Sequence, residues 1–212
     1  MMHLTATAAI LAFSAGAASA GVIGFSQLGS AIDGDQGVAF TGTAGYTHTG
    51  GNAGSLVITL TNTTPSVGGT ITGLAFNSGV DGVSATLTSS THAAFQGMTN
   101  VNTMPFGHSF LAGAALGGNW QGGGNPAGGI GVGDTGIFVF SVLSAQAESL
   151  QASNFFDGPA EQNFVIRFRG LDNGGSAKAP AMITPDIGGT IPAPGAAAPL
   201  AALLLLGSRR RR

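Results

Sequence analysis

The sequence predicts an all-β domain, an antiparallel β-sandwich of jelly-roll-like layout with one short helix, set between two apolar terminal segments. Two observations carry this. Runs such as Leu56, Ile58 and Leu60 alternate with Val57, Thr59 and Thr61, which is the period-two pattern of a strand buried on one face. Clusters of Gly, Asn, Asp and Pro break these runs at roughly ten-residue spacing, as strand-dense antiparallel folds require. The chain is also rich in Thr, Ser and Gly and has thirteen Phe. Thr and Ser suit the wet face of a sheet and Gly its turns, while the Phe residues supply a core.

Taken in order, Gly21–Phe25 is a short apolar opening strand, and Asp33-Gly34-Asp35-Gln36-Gly37 is an acidic turn. Val38–His48 is a Thr- and Gly-rich strand, stopped by Gly50-Gly51-Asn52. Ser55–Thr63, Thr70–Asn77 and Val83–Thr88 form three further strands, expected to pair as a meander across short turns. His92–Gly118 reads as a long loop over part of the core, followed by a glycine-dense loop, Asn119–Gly136, that holds the single tryptophan, Trp120. Ile137–Leu143 is apolar at alternate positions of both parities and is expected to be a doubly covered central strand. Ser144–Gln151 is the helix candidate, with Ser144 as its cap. Phe164, Ile166 and Phe168 point inward in the last strand, while Val165, Arg167 and Arg169 point out. The predicted core is Leu56, Ile58, Leu60, Phe138, Phe140, Phe164, Ile166 and Phe168, and Thr59, Arg167 and Arg169 are expected at the surface.

The two ends carry addresses. Leu4–Ala18 is apolar, and Ala18-Ser19-Ala20 fits the small-x-small pattern before a secretory cleavage, which makes residues 1–20 a signal peptide and Gly21 the mature start. At the other end, Pro192-Ala193-Pro194-Gly195 is followed by an Ala/Leu run and then Arg209, Arg210, Arg211 and Arg212. Arginines flanking an apolar helix stay on the cytoplasmic side. The apolar run spans only about 20 Å at ~1.5 Å per residue, short of the ~30 Å hydrocarbon core. It suits a segment held in the inner membrane briefly rather than a permanent span.

Proline motif, apolar segment and terminal arginine cluster together resemble the PEP-CTERM sorting signal of Gram-negative bacteria, with Ala193 where that family has Glu. The resemblance covers about a tenth of the chain. It implies recognition by an exosortase-type protease and delivery to the cell surface or an extracellular matrix. The layout is then a signal peptide at 1–20, a β-sandwich domain at 21–178, a linker at 179–190 and a sorting signal at 191–212.

Composition excludes several functions. Between the end signals the only bases are Arg167, Arg169 and Lys178, against nine acidic residues, a formal charge of −6. Nucleic acid needs clustered bases and is excluded as a partner. There is no cysteine, so disulfide and thiolate chemistry are absent. Gly131-Val132-Gly133-Asp134-Thr135-Gly136 matches a dinucleotide fingerprint in letters, but a β run follows it where a helix is needed. Asp33 and Asp35 resemble the start of a calcium loop without its closing acid, so no cofactor is expected beyond that incomplete candidate for calcium. His48, His92 and His108 have no metal-ligand spacing. Asn62-Thr63-Thr64 matches a glycosylation acceptor and reads as a turn. Trp120 is the one candidate ligand contact, by stacking on a sugar. Its other reading is a loop tryptophan folded back on the core.

Two functions remain. One is a non-catalytic exported structural or adhesive protein, with signal peptidase and the exosortase-type protease as processing partners and an extracellular polysaccharide as its ligand. The other is a secreted polysaccharide hydrolase, which would need convergent carboxylates from Glu148, Glu161 or the aspartates. Scarcity of reactive groups favours the first.

Overall fold

The computed structural model describes residues 21–32, 37–158 and 162–184. Ten strands occupy most of this span: β1 (Gly21–Gln27), β2 (Phe40–Gly50), β3 (Ala53–Asn62), β4 (Gly68–Phe76), β5 (Ser84–Ser90), β6 (Phe95–Asn102), β7 (Ser109–Leu116), β8 (Thr135–Leu143), β9 (Phe164–Leu171) and β10 (Ser176–Thr184). They pair antiparallel throughout, in the order β5-β8-β3-β2-β1-β10-β9-β4-β7-β6. The ribbon folds over so that its two halves face each other across one aromatic core. Phe76 of β4 meets Phe140 of β8 edge-on at 4.9 Å, and Phe95 of β6 meets Phe138 of β8 at 5.0 Å. The domain is an antiparallel β-sandwich.

The corner lies in β10. Ser176–Pro180 pair with β9, whereas Ala181–Thr184 pair with β1. Pro180 has no N–H to give to a ladder, and it sits where the strand changes partner. Strands that switch sheets in this way make the corners of such folds. The strand therefore runs through residues 179–184, which the sequence reads as linker.

In β3 and β8 one parity is buried, whereas β4, β7 and β9 are buried on both faces along much of their length. Leu56, Ile58, Leu60, Phe138, Phe140, Phe164, Ile166 and Phe168 are all fully enclosed, as the alternation predicts. Phe156 stacks on Phe164 with ring centres 4.4 Å apart and planes 4° apart, closing the core beside Phe25. Asn62 is a buried tie and not a surface acceptor. Its amide nitrogen donates to Gly69 and Ile130 carbonyls at 3.1 and 3.0 Å, and its carbonyl oxygen accepts from Thr64 N–H at 3.2 Å.

Four expectations are corrected. Ser144–Gln151 is not a helix but a run of turns: Ser144 Oγ accepts from Gln146 N–H at 3.0 Å, and three-residue backbone bonds follow at Ala147 and Ser149. Such local hydroxyl bonding competes with helix formation. Among the described residues the helical turns that form are 3₁₀, at Pro126–Gly128 and Ala152–Phe155. The predicted meander is absent: β3 and β5 both pair with β8, while β4 pairs with β7 and β9 in the opposite sheet. The stretch read as a long loop after His92 contains β6 and β7. Finally, β8 is central yet covered on one face only, with Ile137 39% and Leu143 54% exposed.

Candidate functional site

The secretory cleavage residues Ala18 and Ala20, the tail residues Pro192, Ala193, Pro194, Gly195 and Arg209, Arg210, Arg211, Arg212, and the acidic residues Asp33, Asp35 and Glu161 lie outside the described residues. Gly21 opens β1. The Gly131–Gly136 stretch is a turn that enters β8, pinned by mutual backbone bonds between Asn62 and the Gly133–Asp134 segment. His48 bonds the Gly51 carbonyl at 2.9 Å, His92 meets Phe95 edge-on, and His108 stacks on Phe110 at 4.5 Å. They sit on separate elements. Among the described residues no three His, Cys, Asp or Glu side chains gather as a metal site would need, and no helix there is long and apolar enough to cross a membrane.

Two surfaces remain, the outward faces of the two halves. On the second half, the glycine-dense loop after β7 lies across β4, β7 and β9. Trp120 anchors it. The indole is 3% exposed and packs with Ala75, Val101, Phe110 and Val165. Gly73 makes room for it: a Cβ there would stand 3.2 Å from the indole Cε3. The indole N–H makes a long 3.5 Å contact to the Met104 carbonyl. Trp120 is therefore covered and offers no open face for a sugar, which corrects its reading as a ligand contact.

The loop has little secondary structure of its own, so its carbonyls need other donors. Arg167 donates to the Trp120 carbonyl, and Arg169 donates to those of Gly123 and Gly124 at 2.8 and 3.2 Å. Thr70 Oγ1 donates to the Pro126 carbonyl at 2.8 Å. Arg167 is 8% exposed, against the expectation of a surface position. The period-two pattern does place it facing away from the sandwich core, but the loop covers that face. Sequence reasoning missed this latch. Its only signal was two arginines, alternating on one strand, in a domain with a single other base. On one side of the loop a groove of about 270 Å³ runs past Asn102, Asn119 and Gln121. On the other a cleft of about 400 Å³ is lined by Arg167, Arg169, Ser176 and glycines.

On the first half the outward face is open. Cross-strand register puts Ser26, Thr41, Thr61 and Thr135 in one row, and Gly24, Thr43, Thr59 and Ile137 in the next. Val22, Gly45, Val57 and Val139 form a third, and Thr47, Ser55, Ser141 and Thr86 a fourth. Thr61 and Thr135 hydroxyls bond each other at 2.8 Å. No position in these rows is ionisable. Val57, Ile137 and Leu143 are exposed on it. Strands lie ~4.8 Å apart and same-face residues ~7 Å apart along each, so the result is a lattice of hydroxyls and methyls.

No family model matches the sequence, and no curated protein does. A solved structure does match: biomass sensing modules from Rsgi-like proteins of Clostridium thermocellum, described as resembling a family 3 carbohydrate-binding module of the cellulosome. It is 10% identical, over 70% of this chain and 91% of that chain, with a TM-score of 0.33. At that superposition the likeness carries no conclusion about this protein.

Proposed function

We propose that the protein is an exported, non-catalytic structural or adhesive module whose outward face on β5, β8, β3, β2 and β1 rests against extracellular polysaccharide. The observation that carries this is the charge-free Thr/Ser/Val lattice. Charged side chains lose hydration on contact with a neutral surface. A face without them can be covered at low cost, with methyls desolvated and hydroxyls bonded. Residues 1–20 direct export through signal peptidase. The Pro192–Arg212 tail holds the chain in the inner membrane until an exosortase-type protease releases it to the surface or matrix.

Co-sedimentation of the purified protein with insoluble neutral polysaccharide tests the reading. Retention of the parent protein, lost in a Thr43→Glu/Thr59→Lys double variant that keeps its fold, is the expected result. Equal retention of the two proteins, or release of soluble sugar during incubation, would overturn it. Mass spectrometry of exported material tests processing, with Gly21 expected as the first residue and cleavage near Pro192–Gly195 as the last.

A further inference from the structure

A second feature lies on the opposite half of the sandwich and owes nothing to the hydroxyl lattice. The only three bases between the end signals, Arg167, Arg169 and Lys178, fall on two adjacent strands. Lys178 stands directly across from Arg167, and Ser176 across from Arg169. Two of the three cations line one open cleft of about 400 Å³ with Ser176, Gly170, Gly174 and Gly175. Both guanidiniums reach the loop at Gly122. A Cβ built on Gly122 would lie 3.8 Å from both terminal nitrogens of Arg167 and 3.9 Å from Cζ of Arg169. Arg169 uses one terminal nitrogen on the Gly123 and Gly124 carbonyls, which leaves its Nε and second terminal nitrogen as a planar fork. Gly170 and Gly174, at φ +67° and +78°, make the wall of bare backbone, so a ring can approach closely. The nearby carboxylate, Asp172, faces Gly68 at the start of β4.

We propose that this cleft binds the carboxylate of an acidic saccharide, a uronate unit, held by Arg169 with Arg167 as the second cation and Ser176 as a neutral donor. A guanidinium fork matches a planar carboxylate in two parallel hydrogen bonds. The cleft's volume lies at the small end of the range for small-molecule sites.

The test is titration of the full chain with an oligogalacturonate, alongside a neutral maltooligosaccharide, sodium sulfate and an oligoglutamate peptide. The expected result is binding of the oligouronate alone, weakening as salt rises. Arg169→Gln should weaken it roughly tenfold or more. Ser176→Asp should abolish it while leaving the arginine–loop bonds in place, because it puts a tethered carboxylate in the cleft. The Thr43→Glu/Thr59→Lys variant should bind the oligouronate as the parent does, so failure of the lattice reading and failure of this one are separable. Unchanged affinity in folded Arg169→Gln and Ser176→Asp proteins would overturn the proposal. So would equal binding of the neutral sugar, the sulfate or the peptide.

Discussion

Arg167 donates a guanidinium hydrogen to the backbone carbonyl of Trp120, and the two hold the glycine-dense loop that carries Trp120 against the outside of the sandwich. The arginine reaches up from β9 and the indole reaches down onto β4. Between them they close a glycine-rich segment that has few side chains to pack. Removing the arginine leaves that carbonyl without its donor, and an unmet buried carbonyl costs about 1–3 kcal/mol.

Trp120 is the single tryptophan, so its fluorescence reports this latch without interference. Arg167→Met should shift the emission to longer wavelength and raise quenching by acrylamide, because the loop lifts from β9. Trp120→Ala should destabilise by about 3–5 kcal/mol, the usual cost of deleting a buried large aromatic, read by urea unfolding. Parent-like emission and quenching in Arg167→Met would show that the loop does not need the arginine.

The same residues show where sequence reasoning stops. Alternation placed Leu56, Ile58, Leu60, Phe164, Ile166 and Phe168 correctly, because a strand's two faces are a local property. It also put Arg167 on the outer face, which is right. What alternation does not carry is whether something else covers that face. For Arg167 a loop some 45 residues earlier in the chain does. For β8 nothing covers Ile137 and Leu143 among the described residues, although their apolarity suggested a lid. Pairing was equally illegible: β3, β4 and β5 are neighbours in sequence, and their turns do not reveal that β4 joins the opposite sheet. The candidate surfaces depend on these long-range relations. The hydroxyl lattice needs cross-strand register, and the cleft needs β9 beside β10.

The one-sided burial of β8 makes a paired prediction. Phe140 is fully buried, edge-on to Phe76, and Phe140→Ala should cost about 3–5 kcal/mol. Leu143, only three residues on, points to solvent, and Leu143→Thr should change stability by no more than about 0.5 kcal/mol. Urea midpoints at constant slope measure both. A large loss at Leu143 would mean that the outer face is covered in the protein as it exists.

Gly42 of β2 is a close-approach glycine. A Cβ there would overlap the Phe25 ring and the Thr59 carbonyl oxygen. The ring could turn aside, but the carbonyl belongs to the β2–β3 ladder and cannot move without breaking register. Gly42→Ala should therefore destabilise by about 1–3 kcal/mol, although alanine is ordinarily the better strand residue. Gly21→Ala, with nothing within 4 Å of its Cβ position, is the control and should be neutral in the same thermal melt.

The tail prediction follows from length. On the proposed sorting reading, the apolar run of about 20 Å leaves orientation in the membrane to Arg209–Arg212. Deleting the four arginines should release the precursor from the membrane fraction or mis-sort it, as read by fractionation and immunoblot. Unchanged fractionation would remove the positive flank from the sorting mechanism.

Tyr46, the single tyrosine, predicts a pH dependence. Its hydroxyl donates to the Ala147 carbonyl at 2.7 Å in a buried setting. Burial disfavours the phenolate and raises its pKa above the ordinary value, which is about 10. In the unfolded chain the phenol ionises near that ordinary value, whereas in the fold it stays protonated to higher pH. Between the two the unfolded state binds fewer protons, so stability falls as pH rises. The contribution is whole below about pH 10 and is lost as pH climbs through the raised folded value. Tyr46→Phe should cost about 1 kcal/mol at neutral pH through the lost hydrogen bond and should flatten the decline on the alkaline side. Subtracting the two proteins' urea stabilities at each pH removes every contribution common to both. The tyrosinate absorbance, free of other tyrosines, locates the folded transition. A difference that stays constant through the alkaline range, or tyrosinate appearing at the ordinary pH in the folded protein, would show that the hydroxyl is solvated and not held against Ala147.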